Sequence, residues 1–490
     1  MKMNGLYLGL SLYGILAALL ALVLSSGQSN WLLFGFGQLS LPALLLVPSL
    51  LSRPIKVTDP LNLLLIGVII GTVLQSALLA FGDSPARTFL MADWTVDDYA
   101  TGSLWMMLSL FIIGTTYSLT TKRIKIRRFL PSAKHFSAAG VSIGVLIGIL
   151  VSLFALVTYL KATGGFSLSE ISRKRTVEFI SNGQVVYAGG GYSQLFATIS
   201  RYVLLILLGF FLQRKQRLGF ANTTVLVLMF LLAAALPFVS SSRGSLLQIF
   251  FGMLYVFVAF RNVSWRSLLI TALIPIFIFT AMTGLRAAWQ AQTSSSEVQF
   301  KNPLLTMAES GNGLAIGSTT AVLYGVPERM PYQLGSTLTA WVFAPIPRSI
   351  WPGKPETALG RRVKEEIYHL GALRNGFPPS FMAEGYINFG WLGFFSFSAL
   401  FGFVLRLIAN SFDPLKSATP TAPVLYYIVA SNFVGLSNIN LSLAVIRFGM
   451  DLFAFLFAYM LLRYIIARKP SHRRYPLPSP AEVRTQLTPR

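Results

Sequence analysis

Three short strings in this 490-residue chain gather the residue types that handle phosphate groups and protons. The first, SSSRGS (240–245), flanks Arg243 with serines and a glycine. A guanidinium fork beside hydroxyls and free backbone N–H groups at a helix start suits a phosphate oxygen. An arginine at the end of an apolar run also snorkels to lipid headgroups, and the string alone leaves both readings open. The second string, PIPRSIWPGKP (345–355), sets Arg348, Trp351 and Lys354 among four prolines. Proline fixes φ and removes an N–H donor, which predicts a stiff strap holding both cations in place; a structural strap with solvated cations has the same composition. The third, GFPPSFMAEGYINFGWLG (376–393), carries Glu384 and Tyr386 where a polar stretch runs back into an apolar one. A carboxylate at a membrane boundary is costly unless paired or used. Partial desolvation suits Glu384 to proton transfer, and an ion pair with a nearby arginine is the competing expectation. His369 is a second base, or a solvated loop residue. Arg286 ends an apolar run, and Arg447 and Asp451, one helical turn apart, are expected to pair with each other.

The elements that must position these residues are membrane spans. The chain is 54% hydrophobic and only 12% charged, with a mean hydropathy of +0.63, about half the charge of a soluble domain. Apolar runs predict an all-α polytopic membrane protein of about twelve transmembrane helices, near 5–25, 32–51, 61–81, 102–120, 138–160, 196–212, 221–239, 245–260, 267–285, 387–408, 422–437 and 443–465. The first run is long enough to be a retained span rather than a secretory signal. A net charge of +23 would suggest nucleic acid in a soluble protein. Here the cations cluster between apolar runs, at 52–56, 121–128, 213–217, 261–266 and 463–474, which predicts those segments, and both termini, on the cytoplasmic side. Domains follow as a first bundle (1–285), a large extracytoplasmic loop (286–386), the last three spans (387–468) and a basic, proline-rich tail (469–490). Loops of that length are usually functional, and the pieces 318–324 and 359–370 have helical patterning.

Several chemistries lack their residues. No GxxxxGK[ST] phosphate loop is present, and DWTVDD (93–98) is a weak imitation of a metal–nucleotide site. With no cysteine and three scattered histidines (His135, His369, His472), disulfides, thiolate sites and histidine metal clusters are not expected.

SSSRGS, PIPRSIWPGKP and PPSFMAEGYINFGWLG, in this order and on this plan of spans and loop, resemble the Wzy-type oligosaccharide repeat-unit polymerases over nearly the whole chain. AEGY stands here in place of a GEGY-like string, a departure conservative in size. The resemblance implies a glycosyltransferase of the bacterial inner membrane with its site on the extracytoplasmic face. Its substrates would be undecaprenyl-diphosphate-linked oligosaccharides as donor and acceptor, with no cofactor or metal, and a chain-length regulator as a partner beside membrane lipids. On that implication Arg243, Arg286, Arg348 and Lys354 bind the diphosphate, Glu384 ahead of His369 is the base, and Trp351 and Tyr386 stack on sugars. The rivals are an O-antigen-type ligase, which differs in its product, and a lipid-linked glycan flippase or secondary transporter, which would carry charges and broken helices near the membrane midplane.

Overall fold

Long Leu-, Ile-, Val- and Phe-rich runs satisfy their backbone hydrogen bonds internally by coiling, the only unpaired solution open to a single segment in lipid. The computed structural model describes residues 4–51, 55–119, 138–162, 178–181, 184–187, 190–213, 219–239, 242–261, part of 263–281, 303–309, 314–346, 350–351, 353, 357–370, 377–411 and 419–464. Helices α1 (Asn4–Leu24), α2 (Ser29–Leu50) and α3 (Pro60–Phe81) come first. After a short α4 (Pro85–Leu90) follow α5 (Val96–Leu119) and α6 (Ala138–Ala162). Strands β1 (Glu178–Ser181) and β2 (Gln184–Tyr187) pair antiparallel. Then come α7 (Gly190–Gln213), α8 (Phe220–Val239) and α9 (Arg243–Phe260). Among the described residues nine helices are long and apolar enough to cross a membrane, with shorter apolar ones at Gly244–Phe260 and Ala422–Gly435. Every expected span except 267–285, which lies largely outside the described residues, coincides with one of these. Among the described residues the architecture is helical, as in a multi-pass membrane protein, with one short β-hairpin.

The stretch between the ninth and tenth expected spans folds into the bundle. It contributes α10 (Pro303–Glu309), α11 (Ile316–Gly325), α12 (Ser336–Thr339) with a 3-10 turn at Ala340–Phe343, and α13 (Leu359–Arg362) with a π turn at Val363–Ile367. The expected helical pieces 318–324 and 359–370 therefore both fall on helix. Ala308, Leu314 and Gly317 bond the middle of α3. The Leu314 N–H donates to the Gly67 carbonyl at 3.3 Å, and Thr72 Oγ1 donates to the Leu314 carbonyl at 3.0 Å. Gln75 accepts from the Gly317 N–H at 2.9 Å and donates to the Ala308 carbonyl at 3.2 Å. A side chain at Gly71 would collide with the Leu314 backbone, so glycine permits this approach. A π turn in α3 itself, Ile69–Leu74, lies at this contact, as such turns often do where function bends a helix.

The element Phe381–Ser411 is two helices. Phe389 and Gly390 leave helical geometry, and Gly390 has φ 61°, ψ −148°, a conformation essentially reserved for glycine. We number its legs α14 (381–388) and α15 (391–411), followed by α16 (Ala422–Gly435) and α17 (Leu441–Tyr464). The legs run antiparallel. The Phe381 ring packs on Phe397 at 4.6 Å and on Phe401 at 6.1 Å, whereas twenty residues of straight helix would separate Phe381 from Phe401 by about 30 Å. Gly385 and Gly393 touch backbone to backbone, since a Cβ on Gly385 would lie 2.6 Å from the Gly393 carbonyl oxygen.

Among the described residues two large apolar cores result, beside a small one of Ala155, Tyr159, Leu160 and Leu236 between α6 and α8. One gathers α1, α2, α3, α5, the entering loop and the hairpin; the other gathers α7, α8, α9, α16 and α17. At the ends that adjoin the basic segments, Tyr117 donates to Asp59, and Arg406 donates to the Tyr117 oxygen at 3.3 Å with its guanidinium over the ring. Tyr426 donates to the Thr58 carbonyl at 2.7 Å. Helices α3, α5, α15 and α16 are joined there by buried polar contacts.

Candidate functional site

The AEGY string forms α14, and its carboxylate is the centre of a buried junction. Glu384 is fully buried. Its Oε1 accepts from Thr337 Oγ1 at 2.9 Å, and its Oε2 accepts from the Leu441 N–H at 2.6 Å. A carboxylate on a free N–H at a helix start satisfies an orphan donor and opposes the helix dipole. Asn388, one turn on, donates to Thr337 Oγ1 and to the Glu384 carbonyl, both at 2.8 Å, and accepts from the Gly335 N–H at 2.7 Å. Gly335 occupies the left-handed region at φ 90°, as expected of a glycine that permits a tight turn in the string ERMPYQLGS (328–336). Ser442 Oγ donates to the Thr337 carbonyl at 2.5 Å and accepts from the Trp341 N–H at 3.2 Å. Hairpin, α12 and the start of α17 are thereby locked together. Among the described residues Glu384 accepts only from neutral donors, and the loop arginines Arg286, Arg348 and Arg374, entertained as its ion-pair partners, lie outside them.

The proline-rich strap stands on the same place. Trp341, at its entry, bonds Ser442; at its exit the Asn440 amide donates to the Thr357 carbonyl at 2.8 Å and accepts from the Leu359 N–H at 3.4 Å. Both feet of residues 342–358 thus rest on residues 440–442. Trp351 is half-exposed and packs edge-on to Phe343 at 5.4 Å. Arg286, Arg348 and Lys354 lie outside the described residues. The Arg243 backbone opens α9, and its side chain lies outside what is described.

Tyr386 is buried beneath Trp391 (ring centroids 5.0 Å) and Tyr332 (6.3 Å). Trp391 continues into Trp105 at 4.4 Å and Phe395 at 6.0 Å. The accessible aromatic faces in this wall belong to Tyr332 and Trp391, 40% and 39% exposed, which sequence reasoning had not singled out. His369 belongs to another neighbourhood. It is exposed on left-handed backbone (φ 55°) beyond α13, and Arg329 bonds the adjacent Ile367 carbonyl at 2.8 Å and Asp93 at 3.0 Å. Arg361 and Arg362 pair with Glu365 and Glu366.

Among the described residues the expected Arg447–Asp451 pair makes no direct hydrogen bond or salt bridge, although the two charges still interact through space. Asp451 Oδ1 accepts from Arg201 on α7, and its Oδ2 accepts from Asn432 on α16 at 2.7 Å. Arg201 also donates to Gln248 on α9 and to the Tyr202 hydroxyl. A carboxylate buried in apolar surroundings takes whichever cation completes its desolvated shell best, and a guanidinium arriving from a facing helix outcompetes one on the same helix. Sequence reading missed Arg201, although a charge inside QLFATISRYVLLILL (194–208) was the available signal. Among the described residues no three His, Asp or Glu side chains converge as metal ligands.

Comparison with known families, curated proteins and solved structures finds no match. What this chain does is therefore argued from its own residues.

Proposed function

We propose that the chain polymerises undecaprenyl-diphosphate-linked oligosaccharide repeat units into a surface polysaccharide, at the extracytoplasmic face of a bacterial inner membrane. The observation that carries this reading is that the AEGY string and the two flanks of the proline-rich strap meet at the start of α17. Glu384 of the hairpin and both feet of the strap bind residues 440–442. Deeper in the same helix, Asp451 is tied through Arg201 to Gln248 of the helix that Arg243 opens. A polyprenyl donor needs this combination of a membrane-embedded scaffold and fixed cations at its diphosphate.

In the reaction, the acceptor hydroxyl oxygen forms a bond to the anomeric carbon of the donor glycan. The bond from that carbon to the diphosphate oxygen breaks, the lipid diphosphate leaves with the electron pair, and a base takes the hydroxyl proton. Arg243, Arg286, Arg348 and Lys354 hold the diphosphate, and Trp351 with the Tyr386–Trp391–Tyr332 wall borders the sugars. Glu384, ahead of His369 as the base, has both oxygens held by neutral donors, which gives it a positioning role as well, and His369 lies in another neighbourhood. About twelve spans, with the basic segments inside and residues 318–388 toward the outside, complete the reading.

Cells lacking the chain, complemented with wild type or Arg348→Ala, test it on a gel of surface polysaccharide. The expected result is a ladder with wild type and a single repeat unit with Arg348→Ala, the variant protein still being membrane-inserted. A normal ladder from Arg348→Ala would sink the assignment, and complete loss of attached glycan without the chain would point to a ligase. A lipid-linked glycan flippase is the second reading, favoured by the broken helix 381–411 and the buried charges Arg201 and Asp451. It expects unflipped lipid-linked units to accumulate inside the deletion cells.

A further inference from the structure

The neighbours of Glu384 fix where every proton around it lies. The Gly335 N–H can only donate, so the Asn388 atom facing it at 2.7 Å is the amide oxygen. The Glu384 carbonyl can only accept, so the Asn388 atom 2.8 Å from it is the amide nitrogen. With the amide oriented at both ends, its second N–H points to Thr337 Oγ1 at 2.8 Å. Thr337 is therefore an acceptor toward Asn388, and its single proton goes to Glu384 Oε1 at 2.9 Å. On the other side the Leu441 N–H donates to Oε2 at 2.6 Å.

This chain of bonds runs one way, from the Gly335 turn through Asn388 and Thr337 to Glu384. Thr337, Glu384 and Asn388 are all buried, and Ser442 Oγ holds the Thr337 carbonyl at 2.5 Å. Both carboxyl oxygens face donors, and no acceptor is bonded to Glu384 among the described residues. A proton resting on Glu384 would have nothing there to donate to, which leaves it a carboxylate. An ionised carboxylate in apolar surroundings is expensive when isolated. Here two direct donors face it, and so does the start of the 24-residue helix α17, the positive end of the helix dipole. A contact that merely joined the hairpin to α12 would hold equally well with its donors in the opposite order.

We propose that Asn388 and Thr337 are positioning residues that hold Glu384 as a carboxylate with both oxygens turned to donors. A carboxylate has about four lone-pair sites, so the group stays able to receive a proton. Resting on the polymerase reading with Glu384 as the base, Asn388 and Thr337 act through Glu384. They set the plane and the charge of the group that takes the acceptor hydroxyl's proton.

The test uses the full chain, carrying isotope-labelled glutamate, in phosphatidylcholine nanodiscs. Infrared spectroscopy reads the Glu384 carboxylate stretch, assigned by difference from Glu384→Gln. Turnover is measured on lipid-linked units extracted from cells lacking the chain. Thr337→Val removes the hydroxyl at nearly constant shape. Asn388→Asp still accepts from Gly335 but no longer donates, so the Thr337 proton turns away from Glu384. Each should shift the Glu384 band and lower kcat per folded molecule by about tenfold or more, the worth of one hydrogen bond to a charged group, with KM unchanged. Thr337→Ser, which restores the hydroxyl, should rescue both readouts. If Thr337→Val does not fold, Asn388→Asp against Thr337→Ser carries the comparison. A wild-type band in Thr337→Val and Asn388→Asp overturns the proton order. A shifted band with wild-type kcat overturns the positioning role and leaves a structural lock. A wild type that joins no lipid-linked units overturns the polymerase reading, and the band then decides the proton order alone.

Discussion

Glu384 shows how a residue's environment constrains its chemistry. Both oxygens accept from groups that are themselves buried, the Thr337 hydroxyl and the Leu441 N–H. Removing the acceptor strands two donors, each costing about 1–3 kcal/mol. Glu384→Ala should therefore lower the thermal midpoint of the purified protein clearly, and Glu384→Gln, which keeps one acceptor, by less. A purely catalytic Glu384 would give the opposite pattern, with activity lost and the midpoint unchanged in Glu384→Gln. Asp451 makes the complementary case for charge. Asp451→Ala leaves Arg201 buried and unpaired, a loss of about 3–5 kcal/mol. The double variant Arg201→Met/Asp451→Leu should recover most of it in the same thermal measurement. Equal losses in single and double variants would mean the two side chains are not energetically coupled.

At the scale of elements, the reversal at Phe389–Gly390 decides where the whole AEGY string goes. A continuous helix from 381 would carry Glu384 about 10 Å above the start of α15 and away from Leu441. Two features permit the reversal: the glycine-only backbone at Gly390 and the contact of Gly385 with Gly393. Gly390→Ala and Gly393→Ala should each abolish polymer formation and cut the yield of folded protein, as judged by size-exclusion chromatography. Gly435→Ala and Gly449→Ala, where an added Cβ meets nothing within 4 Å, serve as controls. Normal folding of Gly393→Ala would mean the legs can separate without consequence.

For the molecule as a whole, the proposed orientation rests on where the basic segments fall. Tyr117, Asp59 and Arg406 lie at the helix ends adjoining those segments, and Glu384 and the strap feet lie toward the other ends. Lysine and arginine near span ends favour the cytoplasmic side. With no native cysteine in the chain, single replacements report sidedness directly. Leu334→Cys, at an exposed position beside the Gly335 turn, should react with a membrane-impermeant maleimide on intact spheroplasts. Gly219→Cys, exposed after the 213–217 basic cluster, should react only after permeabilisation. The reverse pattern would invert the topology and with it the proposed face of the reaction.

Span positions were legible in the sequence because burying apolar runs in lipid is a local, additive preference, and the long apolar helices carry it residue by residue. The helical pieces of the long loop and the turn at Gly335 were legible for a similar reason, since backbone preferences act within a few residues. The tertiary structure decided the rest. Arg201 and Asp451 stand 250 positions apart, and no local pattern tells a carboxylate which helix will face it. Glu384 was conspicuous as a carboxylate at a boundary, yet its partners come from two other elements that only the Gly390 reversal brings within reach. Charge and hydropathy are written along the chain, whereas the choice of partners depends on which surfaces meet when the helices pack.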